Sequence, residues 1–133
     1  MTERASSPPE VLFADDDEAM RSVVHDVLAS EGFRVVLAED GDQALESLAG
    51  RLPDVIVTDL RMPTGGLDFI ARLRRAAPGV PIILITAFGD AATQSSARSL
   101  GVAAYISKPM RMAELEATIR SVVRPGLERT ETS

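Results

Sequence analysis

Three consecutive aspartates, Asp15-Asp16-Asp17, stand directly after the apolar run Val11-Leu12-Phe13-Ala14, and Asp59 follows the run Val55-Ile56-Val57 one residue later. Thr86 follows Ile82-Ile83-Leu84-Ile85, and Ser107-Lys108-Pro109 follows Ala103-Ala104-Tyr105-Ile106. Carboxylates crowded on one edge repel each other, each pair by roughly 3 kcal/mol at about 5 Å and an effective dielectric near 20. A hard divalent cation resolves that conflict, because Mg²⁺ takes oxygen ligands, keeps several waters and is often held by one or two carboxylates plus a phosphate. Asp17 is the expected helix N-cap, a position that favours Asp. A cap needs one Asp, which leaves Asp15 and Asp16 for the metal. Taken alone, Asp59 could start a turn and Thr86 could simply end a strand. Beside a metal and Lys108 they fit another chemistry: a carboxylate can accept a phosphoryl group as an aspartyl phosphate, and such transfer rests on positioning and charge neutralisation around the phosphoryl oxygens. Asp59 would be the acceptor, Mg²⁺ would bridge carboxylates and phosphoryl group, Lys108 would pair with one oxygen and the Thr86 hydroxyl with another.

The elements that must position these residues follow from hydrophobic periodicity. The runs named above, together with Val35-Val36-Leu37-Ala38, are five short continuous apolar segments, the pattern of strands buried on both faces. Between them lie helical faces. Met20, Val23, Val24, Val27 and Leu28 mark a first helix stopped by Gly32, and Ala44, Leu45 and Leu48 a second stopped by Gly50. Leu67, Ile70 and Leu73 mark a third, ended near Pro78-Gly79. Asp90 to Leu100 carries only Ala91, Ala92, Ala97 and Leu100 as apolar residues and is expected to pack least firmly, and Met112, Leu115, Ile119 and Val122 mark a fifth before Pro125-Gly126. Five-fold alternation of strand and helix predicts an α/β, doubly wound (βα)5 domain with a five-stranded parallel sheet. Such open sheets bind ligands outside the carboxyl ends of their strands, at the point where strand order reverses. Every candidate residue lies there.

Composition narrows the classes. The chain has 133 residues, enough for one domain, which we place at 10–124 between flexible segments at 1–9 and 125–133. No apolar run is long enough to span a bilayer, and the polar start with Pro8-Pro9 lacks the apolar core of a secretory signal, so a cytoplasmic location is expected. The absence of cysteine excludes disulfides, thiolate ligands and cysteine nucleophiles. A net charge of −6 sets the domain against direct binding to nucleic acid. Lys108 is the one lysine among 14 basic residues, which on its own reads equally as a chance leftover of a bias toward arginine or as a compact ammonium that a planar guanidinium cannot replace. His25, in the first helix, is read as a surface residue rather than a phosphoryl donor.

Taken in order, Asp15-Asp16, Thr58-Asp59-Leu60-Arg61-Met62-Pro63, Thr86-Ala87, Tyr105 and Lys108-Pro109 resemble the response-regulator receiver family over about residues 10–124. That resemblance implies the flavodoxin-like strand order 2-1-3-4-5 and a cis bond before Pro109. It implies Asp59 as phospho-acceptor, Asp15, Asp16 and Asp59 holding Mg²⁺ with the main-chain carbonyl of Arg61, and Thr86 and Tyr105 as the switch that remodels the face of the fourth helix, fifth strand and fifth helix. The positions of Arg61 and Phe88 would modulate phosphoryl lifetime, with Phe88 hindering water. Implied partners are a sensor histidine kinase or phosphotransfer protein as donor, a downstream effector protein or domain, and a second copy in a phosphorylation-dependent dimer; no membrane is implied. The domain would assist its own phosphorylation and dephosphorylation without otherwise being an enzyme. With no output domain following, the chain reads as a single-domain regulator or as one whose effector lies outside it. One departure is that Pro63-Thr64-Gly65-Gly66-Leu67 is a residue shorter than the loop of many receivers, which leaves that loop either tighter or more mobile.

Other classes fit less well. A flavodoxin-like cofactor carrier would need Ser, Thr and Gly amides after the first strand, where Asp15-Asp16-Asp17 would repel a phosphate. A dehalogenase-type phosphatase would carry a second Asp two residues after the nucleophile, where Arg61 stands. A pseudo-receiver acting only as an interaction module has no support while every acceptor-site residue type is present.

Overall fold

The computed structural model describes residues 8–87 and 91–123. Among them the strands are β1 (Glu10–Ala14), β2 (Arg34–Ala38), β3 (Val55–Asp59), β4 (Ile82–Thr86) and β5 (Ala104–Ser107), and the helices are α1 (Glu18–Ser30), α2 (Gly41–Gly50), α3 (Leu67–Ala76), α4 (Ala91–Ser99) and α5 (Met112–Val122). The strands form one parallel sheet in the order β2-β1-β3-β4-β5. Side chains alternate across a strand, so each central run must be apolar on both faces. In β1, Leu12 and Ala14 pack with Ala44 and Leu48 of α2, Phe69, Ile70 and Leu73 of α3 and Ala97 of α4. Val11 and Phe13 face the other way, toward Val24 and Leu28 of α1 and Leu115 and Ile119 of α5. Burying one such large apolar side chain stabilises the fold by about 1.5–3 kcal/mol, and truncating one, as in Leu73→Ala, costs about 2–5 kcal/mol.

Several boundaries and faces differ from the periodicity. Val23 is 48% exposed, because Met20, Val24 and Leu28 already form the stripe against the sheet and position 23 lies about 100° away from Val24. At the sheet edge, beyond full helical cover, Leu37 is 37% exposed and Val35 and Val36 are half-buried, so β2 is not buried on both faces. Gly50 is the last residue of α2 rather than a stop, and the chain turns extended at Arg51 ahead of Leu52-Pro53. By contrast Gly32 does end α1: its φ of +96 lets its own amide reach the Ala29 carbonyl and the Phe33 amide the Leu28 carbonyl. In α4 only Ala97 is buried, in keeping with its sparse apolar face. The expected Pro125-Gly126 stop and the tail at 125–133 lie outside the described residues.

Candidate functional site

Register alone brings the carboxylates together. Ala14 pairs with Thr58, so Asp15 and Asp59 are the next residues on adjacent parallel strands, at the crevice where the chain crosses from one side of β1 to the other. Asp59 pairs with Ile85, which sets Thr86 one step beyond it on β4, and Thr86 pairs with Ser107, which sets Lys108 one step beyond that on β5. Asp15, Asp59 and Thr86 are all buried.

The Lys108 side chain crosses this strand end. Its Nζ donates to Asp15 Oδ2 at 2.9 Å and to Asp59 Oδ2 at 2.7 Å, with the side chain only 17% exposed. Burial works against the ammonium charge, but hydrogen bonding and charge from Asp15 and Asp59 outweigh it, and the Lys108 pKa is raised above its usual 10.5. The remaining carboxylate oxygens are held by main-chain amides: Asp15 Oδ1 accepts from the Asp17 amide at 3.0 Å, and Asp59 Oδ1 from the Arg61 amide at 3.0 Å. Each acid is thereby aimed at the same cation from a fixed direction. The Lys108 amide donates to the Thr86 carbonyl at 2.9 Å, and the Lys108–Pro109 bond is cis.

The other expected residues sort by position. Asp17 caps α1, its carboxylate accepting from the Ala19 and Met20 amides at 3.0 and 3.3 Å. Asp16 is exposed between the buried Asp15 and the cap. Arg61 is exposed in the loop after β3, with its main chain tied to Asp59. Tyr105 is half-buried on β5, at a cavity of about 220 Å³ between α4 and β5 lined also by Gln94, Ala97, Arg98 and Val102. Phe88 lies outside the described residues. His25 is exposed, its ring Nδ1 3.3 Å from Asp26.

Three contributors escaped the sequence reading. Arg21 donates to the Asp15 carbonyl at 2.9 Å and so braces the turn that carries the acid; its position on the first turn of α1 is the only signal for it. Gly41 and Thr64 join α2 to the loop after β3, and the shortened loop was the hint.

Among the described residues no three acids or histidines form a ready-made metal cage. The donor set nonetheless suits Mg²⁺: two buried carboxylates share one cation, all donors are hard oxygens, and Mg²⁺ completes its shell with water and phosphate rather than with an all-protein cage.

Residues 11–120 match the family model described as "Response regulator receiver domain". The chain is 38% identical over 115 residues to "Probable transcriptional regulator ycf27" of Guillardia theta, covering 86% of this chain and 45% of that protein. It is 36% identical over 115 residues to "Response regulator MprA" of Mycobacterium leprae (strain TN), covering 86% and 50%. The chain thus spans about half the length of these curated relatives. Among solved structures it is similar to the chemotaxis protein CheY4 of Vibrio cholerae, with a TM-score of 0.81, 27% identity and coverage of 86% and 98%. It is also similar to the BeF3-activated receiver domain of RstA from Klebsiella pneumoniae, with a TM-score of 0.80, 27% identity and coverage of 87% and 99%.

Proposed function

This chain belongs to the response regulator receiver family of two-component signalling, and we propose that Asp59 is the residue that accepts the phosphoryl group. The observation that carries this reading is one ammonium, Lys108 Nζ, within 3 Å of carboxylate oxygens from two different strand ends. An interior ion triad of this kind is a poor way to gain stability, but it is a good way to hold a pocket in which added negative charge will be neutralised. Receiver domains of this family generally use Mg²⁺ for phosphorylation. Here Asp15, Asp16, Asp59 and the Arg61 carbonyl would hold it, and it would supply charge neutralisation at the phosphoryl oxygens.

The chain's own residues divide the remaining work. The Arg61 amide fixes one Asp59 oxygen, leaving the Lys108-facing oxygen, Oδ2, as the nucleophile once the ammonium shifts toward the incoming group. Lys108 then pairs with a phosphoryl oxygen and Thr86 with another, each charge-assisted bond worth about 1.5–3 kcal/mol. Together these bonds supply roughly 3–6 kcal/mol, against the roughly 5.5 kcal/mol needed to invert a 1:99 equilibrium. Thr86 and Tyr105 would carry that energy to α4, β5 and α5, where the weakly packed α4 is the element easiest to move. Phe88 and the Arg61 side chain would tune phosphoryl lifetime. The donor would be a sensor histidine kinase or phosphotransfer protein, and the downstream partner would be an effector protein or domain, with phosphorylation-dependent dimerisation as one form of output. No helix among the described residues is long and apolar enough to cross a membrane.

Incubation with acetyl phosphate and Mg²⁺ tests the proposal. One phosphoryl group should be taken up by the wild type and none in excess EDTA; uptake unaffected by the chelator would refute the metal-dependent reading.

A further inference from the structure

We infer that Thr64 is a positioning residue, which latches the loop beside the acceptor to the start of α2 and thereby fixes how the Arg61 carbonyl is presented to the metal; this rests on the function proposed above. The loop folds upon itself. The Gly65 amide donates to the Met62 carbonyl at 2.9 Å, the Gly66 amide to the Leu60 carbonyl at 3.0 Å, and the Arg61 amide to Asp59. Residues 59–66 therefore move as one closed turn, with the phospho-acceptor at its root.

The turn is attached outward at its far side. The Thr64 hydroxyl accepts from the Asp42 amide at 2.9 Å and lies 2.6 Å from the Pro63 carbonyl, to which it donates, while the Gly41 amide donates to that same carbonyl at 3.0 Å. The amides of Gly41 and Asp42 belong to the first turn of α2, where donors have no intrahelical acceptor. Asp40 satisfies the next one, the Gln43 amide, at 2.8 Å. Helix α2 thus shares its capping between its own Asp40 and the loop.

Two further features bind this contact to these residue types. Thr64 has φ +55, the left-handed region that β-branched residues avoid, a cost that persists where surroundings over-determine the conformation. A Cβ at Gly41 would land on the Thr64 carbonyl oxygen, so the loop seats only against glycine. From Thr64 the path to Arg61 is two residues, one of them Pro63 with its fixed φ. Loss of the hydroxyl therefore loosens the far side of the turn, and with it the direction of the Arg61 carbonyl, while the side chains of Asp15, Asp59 and Lys108 are unchanged.

The test is calorimetric titration of the metal-free chain with Mg²⁺, alongside hydrogen exchange of the Asp42 amide and urea unfolding. Thr64→Val removes the hydroxyl. Thr64→Gly removes it too while relaxing the φ, so this variant folds even if the valine does not. Thr64→Ser keeps the hydroxyl. Both hydroxyl-free variants should bind Mg²⁺ about 10-fold more weakly, as loss of an outer-shell support does, with a faster-exchanging Asp42 amide; the glycine variant should do so at undiminished stability, and serine should restore wild-type affinity. Wild-type Mg²⁺ affinity in Thr64→Gly, or serine binding as weakly as glycine, would overturn the latch. A wild type that binds no Mg²⁺ would instead overturn the metal site on which the latch depends.

Discussion

Replacing Lys108 with methionine keeps most of the side-chain length and removes the charge that two buried carboxylates share. Asp15 Oδ2 and Asp59 Oδ2 lie 2.9 and 2.7 Å from Nζ, so they are at most about 5.6 Å apart, and their repulsion at an effective dielectric near 20 is about 3 kcal/mol. Breaking a buried ion pair by removing one partner costs about 3–5 kcal/mol in general, so both routes agree that Lys108→Met should destabilise the metal-free domain by roughly that amount at pH 7. Added Mg²⁺ should narrow the deficit, because a cation then reaches carboxylates with no ammonium competing for them, and binding to the native state alone adds stability. The pH dependence has a defined sign. The Lys108 pKa is raised in the folded state, so its contribution is full below about 10.5, the unfolded value, and is lost as pH climbs through the higher folded value. The difference in stability between wild type and Lys108→Met should therefore persist at neutral pH and shrink in strong alkali. Urea unfolding with and without Mg²⁺ measures all of this. A variant as stable as wild type in EDTA, or one whose deficit is untouched by Mg²⁺, would show that the triad is not the electrostatic centre of the site.

Other perturbations separate the roles around it. Asp16→Asn should weaken Mg²⁺ binding with little change in stability, whereas Asp17→Ala should cost about 1 kcal/mol through loss of the α1 cap and leave Mg²⁺ affinity intact; calorimetric titration and urea unfolding of both variants distinguish them. Lys108→Arg should still accept phosphate, because Asp59 and the metal ligands remain, but should transmit it poorly, since a planar fork does not reproduce a point charge aimed at two strand ends. Pairing phosphorylation rate with the beryllofluoride-induced change near Tyr105 reads both quantities. Gly41→Ala should destabilise by about 1–3 kcal/mol despite alanine's better helix propensity, because its Cβ meets the Thr64 carbonyl; urea midpoints check it.

The parts of this molecule that were legible in sequence are those set by strong local rules. Continuous runs such as Val55-Ile56-Val57 and Ile82-Ile83-Leu84-Ile85 announced strands with helices on both faces, and residues just past them had to gather at one edge. Asp17 declared itself a cap by type and place. The edge position of β2 was not visible in Val35-Val36-Leu37-Ala38, because an apolar run does not say how far the covering helices extend. Nor did the periodicity of α1 show Val23 to be exposed, since it flanks the stripe centred on Val24 and its apolar type suits either side of that border. The Arg21 brace and the Gly41–Thr64 contact depend on pairs 6 and 22 or more residues apart meeting in space, which no local pattern encodes.

If Asp59 is the acceptor, its carboxylate and no other group receives the phosphoryl group. After reaction with acetyl phosphate and Mg²⁺, borohydride reduction converts an acyl phosphate to the corresponding alcohol, and peptide mass spectrometry then reports which acidic side chain was reduced. Reduction should occur at Asp59 alone and be abolished in Asp59→Asn and in excess EDTA. Reduction at Asp15 or Asp16, or acid-stable phosphate on His25, would contradict it.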